Sequence, residues 1–231
     1  MSDWLSPGDW QALLLSLRIA AISVAASLPF ALAIAWLLSR RRFPGRLLLE
    51  ALLFLPLTLP PVVTGYSLLV VLGRNGLVGS WLASIGVVVA FRWTGAVIAA
   101  ALMGFPLLTL SARVAFDNVD RRLEAAAETL GAGPWRRFFS IALPLSLPGI
   151  GAGCVLAFAR AFGEFGATIS FVSNIPGETR TLPIAIYELM NTPGGDTGVL
   201  RLSVLSLIVA LAATLVAALL GGRLWRQRRD A

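Results

Sequence analysis

Residues 120–144 read Asp-Arg-Arg-Leu-Glu-Ala-Ala-Ala-Glu-Thr-Leu-Gly-Ala-Gly-Pro-Trp-Arg-Arg-Phe-Phe-Ser-Ile-Ala-Leu-Pro, a charged segment between strongly apolar ones. Strong helix formers run from residue 117 to residue 130. Gly131 and Gly133 permit a turn that other residues resist, and Pro134 suits the first position of a new helix. The pattern predicts a helix, a tight glycine turn and a second helix that leads into an apolar segment. We interpret this loop, residues 117–140, as a surface presented to a soluble partner.

The composition of the whole chain indicates an all-α integral membrane protein. Of its 231 residues, 57% are hydrophobic and only 13% are charged. The net charge of +7 does not indicate nucleic-acid binding, because the arginines cluster at the ends of apolar segments, as membrane topology requires. The chain has neither histidine nor lysine, which excludes a Ser-His dyad, a His-ligated metal and a Walker A phosphate loop. We therefore expect no catalytic residue, no metal and no cofactor.

Five apolar segments reach the length of about 20 residues that a membrane-spanning helix needs. They cover residues 10–38, 47–72, 94–112, 141–162 and 199–222, within one transmembrane domain of residues 1–231. Thirteen of the 19 arginines follow the first, third and fifth of these segments. Cytoplasmic loops carry such an excess, so we expect the N-terminus outside and the C-terminus in the cytoplasm. The C-terminal arginines are Arg223, Arg226, Arg228 and Arg229.

The second span contains Pro56, Pro60 and Pro61. Adjacent prolines remove two helical hydrogen bonds, so the span should bend or break there. Broken backbone at membrane depth is tolerated only where it is buried in protein or lines a water-filled path. We favour a pathway or a subunit interface over an ordinary packed kink. Residues 76–91 are apolar but short and glycine-rich, and we expect them to lie outside, at the membrane interface.

The loop at residues 117–140 allows two interpretations from its residues alone. Ala126, Ala127 and Gly131 form a smooth surface that another protein's backbone can approach closely. Trp135 and Arg136 are residue types enriched at interface hot spots. The alternative is an amphipathic loop that lies on lipid headgroups, held by Trp135 and the arginines.

The run Glu-Ala-Ala-Ala-Glu-Thr-Leu-Gly-Ala at 124–132, with Ile-Ala-Leu-Pro at 141–144, resembles the EAA loop of permease subunits in ATP-binding-cassette importers. In that family the loop forms a coupling helix that inserts into a cleft of the cytoplasmic ATPase subunit. One departure is visible, since the family glutamate lies six residues before the glycine, where this chain has Ala125. The residues that the resemblance implies for ATPase docking are Glu124, Ala126, Ala127, Thr129, Leu130, Gly131, Ala132, Gly133, Trp135 and Arg136.

Two more stretches of sequence resemble one particular group within this permease family. They are Leu-Pro-Leu-Thr-Leu-Pro-Pro-Val-Val-Thr-Gly-Tyr at 55–66 and Phe-Ala-Arg-Ala-Phe-Gly-Glu-Phe-Gly-Ala-Thr-Ile-Ser-Phe-Val-Ser-Asn-Ile-Pro-Gly-Glu-Thr-Arg-Thr at 158–181. Both are similar to the permease subunit of bacterial molybdate importers, which also carry tungstate. Sulfate and thiosulfate permeases share the general plan and stand as the alternative.

The second of these stretches suggests an outward gate. Arg160 and Glu164 are four residues apart and share a helical face, so they can pair. A carboxylate repels a dianion, and we assign Glu164 a structural or gating role. Neutral hydroxyl and amide side chains bind a passing oxyanion weakly enough for it to be released again. The alternative for each such residue is that it only caps or turns the external loop. The residues assigned to the pathway or gate are Pro60, Pro61, Thr64, Glu164, Thr168, Ser170 and Asn174.

The resemblance also implies partners. They are a second copy of the chain, a dimer of cytoplasmic ATPase subunits, an extracytoplasmic oxyanion-binding protein and membrane lipid, in the inner membrane of a bacterium. Two other classes of membrane protein are alternatives. A secondary transporter should show inverted repeats and intramembrane charges, and a membrane enzyme needs a nucleophile–base pair or a metal cluster. Neither pattern is clear in this sequence.

Overall fold

The structure, a computed structural model, describes the backbone of residues 5–227 and the side chains of residues 5–219. Over these residues the chain forms eleven α-helices and one π-helical turn. The helices are α1 Pro7–Arg40, α2 Arg46–Thr58, α3 Pro61–Leu72, α4 Leu77–Ser84, α5 Trp93–Asp117, α6 Arg121–Thr129, α7 Pro134–Arg137, α8 Leu143–Phe162, α9 Gly166–Val172, α10 Leu182–Met190 and α11 Asp196–Gln227. The π-helical turn, Phe138–Ala142, joins α7 to α8.

Four described helical segments are long and apolar enough to cross a membrane: Pro7–Arg40, Trp93–Asp117, Pro134–Phe162 and Asp196–Leu219. The pair α2 and α3 supplies a fifth span, bent by 110° at the residues between them. The all-α fold with about five spans is therefore confirmed, as is the break predicted at Pro60 and Pro61. Arg228 and Arg229 lie outside the described residues, as do the side chains of Arg223 and Arg226.

The core of the bundle is built by α1, α5 and α8, which pack through small side chains. Ala31 and Ala35 of α1, Ala112 of α5 and Ala157 of α8 are almost completely buried. A Cβ placed on Gly153 of α8 would lie 2.6 Å from the Cβ of Ser111 in α5. Small residues let helix backbones approach closely inside a membrane, where packing and not hydrophobic burial holds helices together.

The structure departs from the predicted helix at residues 117–130. Helix α5 continues to Asp117, and residues 118–120 then separate it from α6. The new start has a local cause, because the Asp120 carboxylate accepts a hydrogen bond from the N–H of Arg122 at 2.9 Å and so caps α6. The apolar stretch at 76–91 contains the short helix α4.

Candidate functional site

The loop that follows α6 is a tight turn set by its glycine. Gly131 has φ +81°, a left-handed conformation that favours glycine. The N–H of Gly131 donates to the carbonyl of Glu128, and the N–H of Ala132 donates to that of Ala127, both at 2.9 Å. Pro134 then begins α7. The predicted helix, glycine turn and second helix are therefore present, with α6 starting later than expected.

Most residues assigned to docking form one exposed surface. Leu130 is 87% exposed and Trp135 is 76% exposed, and both lie on the charged loop and not on an apolar span. The smaller residues around them are exposed or half-buried: Ala126, Ala127, Thr129, Gly131, Ala132 and Gly133, together with Arg136. Leu123 and Phe139 are also about half exposed. Leu123 was not among the residues predicted from the sequence, although it is an apolar side chain in a largely polar helix.

Glu124 differs from the rest of this set. Its carboxylate lies 2.6 Å from Nη2 of Arg40, at the end of α1, and 3.2 Å from Nε of the same guanidinium. The side chains of Glu124 and Arg40 are only 14% and 11% exposed. The structure thus joins Glu124 to its own chain, one position before Ala125, where the family pattern has its glutamate.

An aromatic cluster packs between the loop that carries Trp135 and the helices α1 and α5. The Trp36 ring lies edge-on to Phe116 and to Phe138, with centroids 5.2 and 5.0 Å apart. Phe138 in turn packs edge-on against Phe139 at 5.0 Å, and Phe139 stacks on Trp135 at 6.3 Å. Edge-on pairs at such distances stabilise each other through their quadrupoles. The exposed Trp135 is thereby connected to rings carried by α1 and α5.

The broken span packs against α9, so the two stretches suspected of forming the pathway lie together. A Cβ on Gly65 of α3 would collide with the carbonyl oxygen of Ala167 and come within 2.8 Å of the Cβ of Ser170. A Cβ on Gly166 would lie 2.8 Å from the Cβ of Pro61. Two glycines therefore allow this approach of α3 to α9, and neither was among the predicted pathway residues.

The polar residues of this region fall into three environments. Thr64 and Thr168 are buried, and among the described residues the Thr64 hydroxyl has no hydrogen-bond partner. Ser170 donates to the carbonyl of Gly166 at 2.8 Å. Asn174 lies between Arg180 and Glu188, accepting from Arg180 at 3.0 Å and donating to Glu188 at 2.9 Å.

Glu164 is 3% exposed and bridges two helices. Its carboxylate accepts from Nη1 of Arg160 at 2.5 Å, which confirms the predicted pair. Its other oxygen accepts from the N–H of Ala167 at 2.8 Å, in the first turn of α9. One carboxylate thus links the last turns of α8 to the first turn of α9.

Comparison with known proteins agrees with this architecture. The model of the family described as binding-protein-dependent transport system inner membrane component matches residues 27–226. The chain is 55% identical over 225 residues to the molybdenum transport system permease protein ModB of Escherichia coli strain K12, which covers 97% of this chain and 98% of that protein. It is 39% identical over 158 residues to the sulfate transport system permease protein CysT of the same organism, covering 68% of this chain and 57% of that protein.

A solved structure shares the fold. It is a chain of a bacterial alginate ABC transporter, crystallised with a periplasmic protein that carries an alginate pentasaccharide. The two superpose with a TM-score of 0.73 at 18% identity, over 94% of this chain and 80% of that one. With the family match over most of the sequence, these findings place the chain among the inner membrane components of binding-protein-dependent transport systems.

Proposed function

We propose that this chain is the permease subunit of an ATP-driven importer that carries molybdate and tungstate across the bacterial inner membrane. The observation that carries the proposal is the identity to a molybdenum permease over nearly the whole of both chains. The identity to a sulfate permease is lower and spans a shorter share of both chains, which makes sulfate or thiosulfate the alternative substrate.

In this proposal the chain is a transport subunit and not an enzyme. The sequence contains no lysine and therefore no Walker A loop, so the energy comes from a separate ATPase. Two copies of the chain form the pathway, and each copy docks on one ATPase subunit. A binding protein delivers the oxyanion from the outside, where the N-terminus lies.

The loop at residues 117–140, which contains the turn at Gly131, is the proposed ATPase contact, and we call it the glycine-turn loop. Its exposed Leu130 and Trp135 are large apolar side chains, and the glycine turn between them leaves room for a partner's backbone. Buried aromatic and aliphatic anchors dominate the energy of such interfaces. The exposed members of the predicted set form the docking surface, and Glu124 holds the loop in place from within the chain.

The break between α2 and α3 is the proposed pathway element. Pro60 and Pro61 cannot donate, so carbonyls of α2 lose their helical partners at membrane depth. Both prolines and the neighbouring Val62 are exposed on the single chain. Lipid cannot satisfy those carbonyls, which supports a second copy or a water-filled path at this surface. Thr64, Glu164, Thr168 and Ser170 shape the packing of the gate behind it.

The proposed cycle links the two elements. ATP binding closes the two ATPase subunits and draws the docked loops together, which opens the pathway to the outside. Hydrolysis then separates the loops and closes the outer side. The chain contributes the rigid connection between loop and gate.

The deciding experiment is uptake into proteoliposomes that hold the chain with its ATPase and binding protein. We expect molybdate uptake that requires ATP and that sulfate does not compete. Sulfate uptake would preserve the architecture and replace the substrate. Absence of uptake of either anion, in liposomes that retain all three proteins, would overturn the proposal.

A further inference from the structure

A continuous series of polar side chains at the Arg40 end of the bundle connects four helices. Its members, in order along α6, α1, α5 and α2, are Glu124, Arg40, Ser39, Asp117, Arg113 and Glu50. We call this series the Arg40 polar chain. It begins on the glycine-turn loop and ends near the base of the broken span.

The first links are short. Beyond its pair with Glu124, Arg40 donates from Nη1 to the Ser39 hydroxyl at 2.8 Å. That hydroxyl donates in turn to the Asp117 carboxylate at 2.5 Å. The Arg40 guanidinium also lies 4.8 Å from the centroid of the Trp36 ring, a cation–π contact. A second contact reinforces the loop, since Arg121 donates to the Ser39 carbonyl at 3.1 Å.

The remaining links cross from α5 to α2. The other oxygen of Asp117 lies 3.8 Å from Nε of Arg113, one turn earlier on α5. Nη1 of Arg113 donates to Glu50 at 3.1 Å, and the same Glu50 oxygen accepts from Arg46 at 2.9 Å. Charges of opposite sign therefore alternate from α6 to α2, apart from the neutral Ser39.

The two ends of the Arg40 polar chain lie on α6 and α2, which bury few side chains against the bundle. Within the described residues, α6 has no buried side chain, and Leu53 is the single buried residue of α2. The polar contacts are shielded from water at one end of the series, since the side chains of Arg40 and Glu124 are 11% and 14% exposed. Arg113 and Glu50 are 23% and 25% exposed, and Asp117 between them and Ser39 is 45% exposed. The shielded contact between Arg40 and Glu124 is stronger than an ion pair on an open surface. The contact between Arg113 and Asp117, at 3.8 Å, is the weakest link of the series.

We propose that the Arg40 polar chain is a positioning device that fixes α6 to α2 through α1 and α5. A displacement of the docked loop then reaches the break at Pro60 because the four helix ends move together. The proposal rests on the proposed function, in which a partner docks on that loop. A series of contacts becomes a coupling route only when both ends influence the same equilibrium, so the test perturbs both ends.

The functional test uses the reconstituted complex with Glu124→Gln, Glu50→Gln and the double variant. The ratio of molybdate taken up to ATP hydrolysed should fall about fivefold in each single variant, near the lower limit of typical coupling between sites. The double variant should fall no further, because both changes interrupt one series. The amount of ATPase that co-purifies should stay unchanged, which a lost docking contact would not allow.

Glu128→Gln is the matched control. It removes the same charge from α6, but Glu128 is paired with Arg137 inside the loop and lies outside the Arg40 polar chain. Its transport ratio should match that of the original protein. A normal ratio in Glu50→Gln, or losses that multiply in the double variant, would overturn the proposal.

A distance measurement separates this proposal from the proposed function. Nitroxide labels placed at Arg122 of α6 and Leu48 of α2, both exposed, report the separation of the two helices in a Cys154→Ala background. The distribution of distances between the two labels should be narrow in the protein with an intact Arg40 polar chain and in its Glu128→Gln variant. It should be broad in the Glu124→Gln and Glu50→Gln variants. This arm needs neither substrate nor ATPase. An unchanged width would overturn the positioning role, whereas missing molybdate uptake with broadened distances would overturn only the transport assignment.

Discussion

Gly65 of α3 lies directly against the backbone of Ala167 in α9, so the broken span and the helix after Glu164 touch with no side chain between them. Gly65→Ala should separate the two helices, because its Cβ would meet the backbone of Ala167 within 2.8 Å. Overpacking of this kind costs about 1–3 kcal/mol. We expect a lower unfolding temperature in detergent and a larger fall in transport, since this contact lies beside the break.

The control is Gly8→Ala, where the added Cβ meets an ordinary neighbour at 3.8 Å. That variant should unfold and transport like the original protein. Equal stability and transport in Gly65→Ala would show that α3 and α9 adjust freely and would contradict a tightly fitted gate.

Gly131→Val tests the docking loop. At φ +81° any larger residue is strained, at a cost of about 1–2 kcal/mol, even though the space around Gly131 is open. We expect the turn to change shape and the ATPase to stop co-purifying with the chain. Glu124→Gln should keep the ATPase bound, because Glu124 faces Arg40 and not the partner.

Gly86→Val is the matched control for strain, because Gly86 has φ +80°, also has open space around it, and lies outside the loop. It should lose similar stability and keep the ATPase. If Gly131→Val retains full ATPase binding and normal transport, the loop is not the docking surface.

The features that sequence predicted are local ones. Pro60 and Pro61 break the span because each lacks an N–H, and Gly131 makes the turn because it lacks a Cβ; neither effect depends on a distant partner. The pairing of Arg40 with Glu124 joins residues 84 positions apart, and hydropathy carries no information about it. The same holds for Gly65 and Ala167. Position in the sequence could therefore place the loop and the break, but not the contacts that join them to the bundle.

Replacing Pro60 and Pro61 together with alanine should straighten the second span. Two alanines restore two backbone donors and favour a continuous helix over the 110° bend. We expect transport to fall strongly while the ATPase remains bound, because the change leaves every residue of the loop at 117–140 unaltered. Uptake and co-purification measured on one preparation separate the two effects.

Pro29→Ala serves as the control for losing a helical proline, since Pro29 lies inside the unbroken α1 and is exposed. It should leave transport near normal. Undiminished uptake in the double alanine variant would remove the break from the pathway and leave it a packed kink.

The Arg160–Glu164 pair predicts an unequal response to removing either partner. The Glu164 side chain is 2% exposed and that of Arg160 is 28% exposed. Arg160→Gln leaves a buried carboxylate without its cation, which costs about 3–5 kcal/mol in comparable buried pairs. Glu164→Gln leaves an arginine that water reaches in part, and the new amide oxygen can still accept from Ala167, so its cost should be smaller. Thermal unfolding of the purified chain in one detergent should therefore rank Arg160→Gln as the less stable variant.

The control is Glu128→Gln, which breaks a more exposed ion pair and should change the free energy of unfolding by about 1 kcal/mol or less. A reversed order, with Glu164→Gln the less stable, would contradict this prediction. It would mean that the hydrogen bond from the N–H of Ala167 to Glu164, and not the ion pair, holds α8 and α9 together.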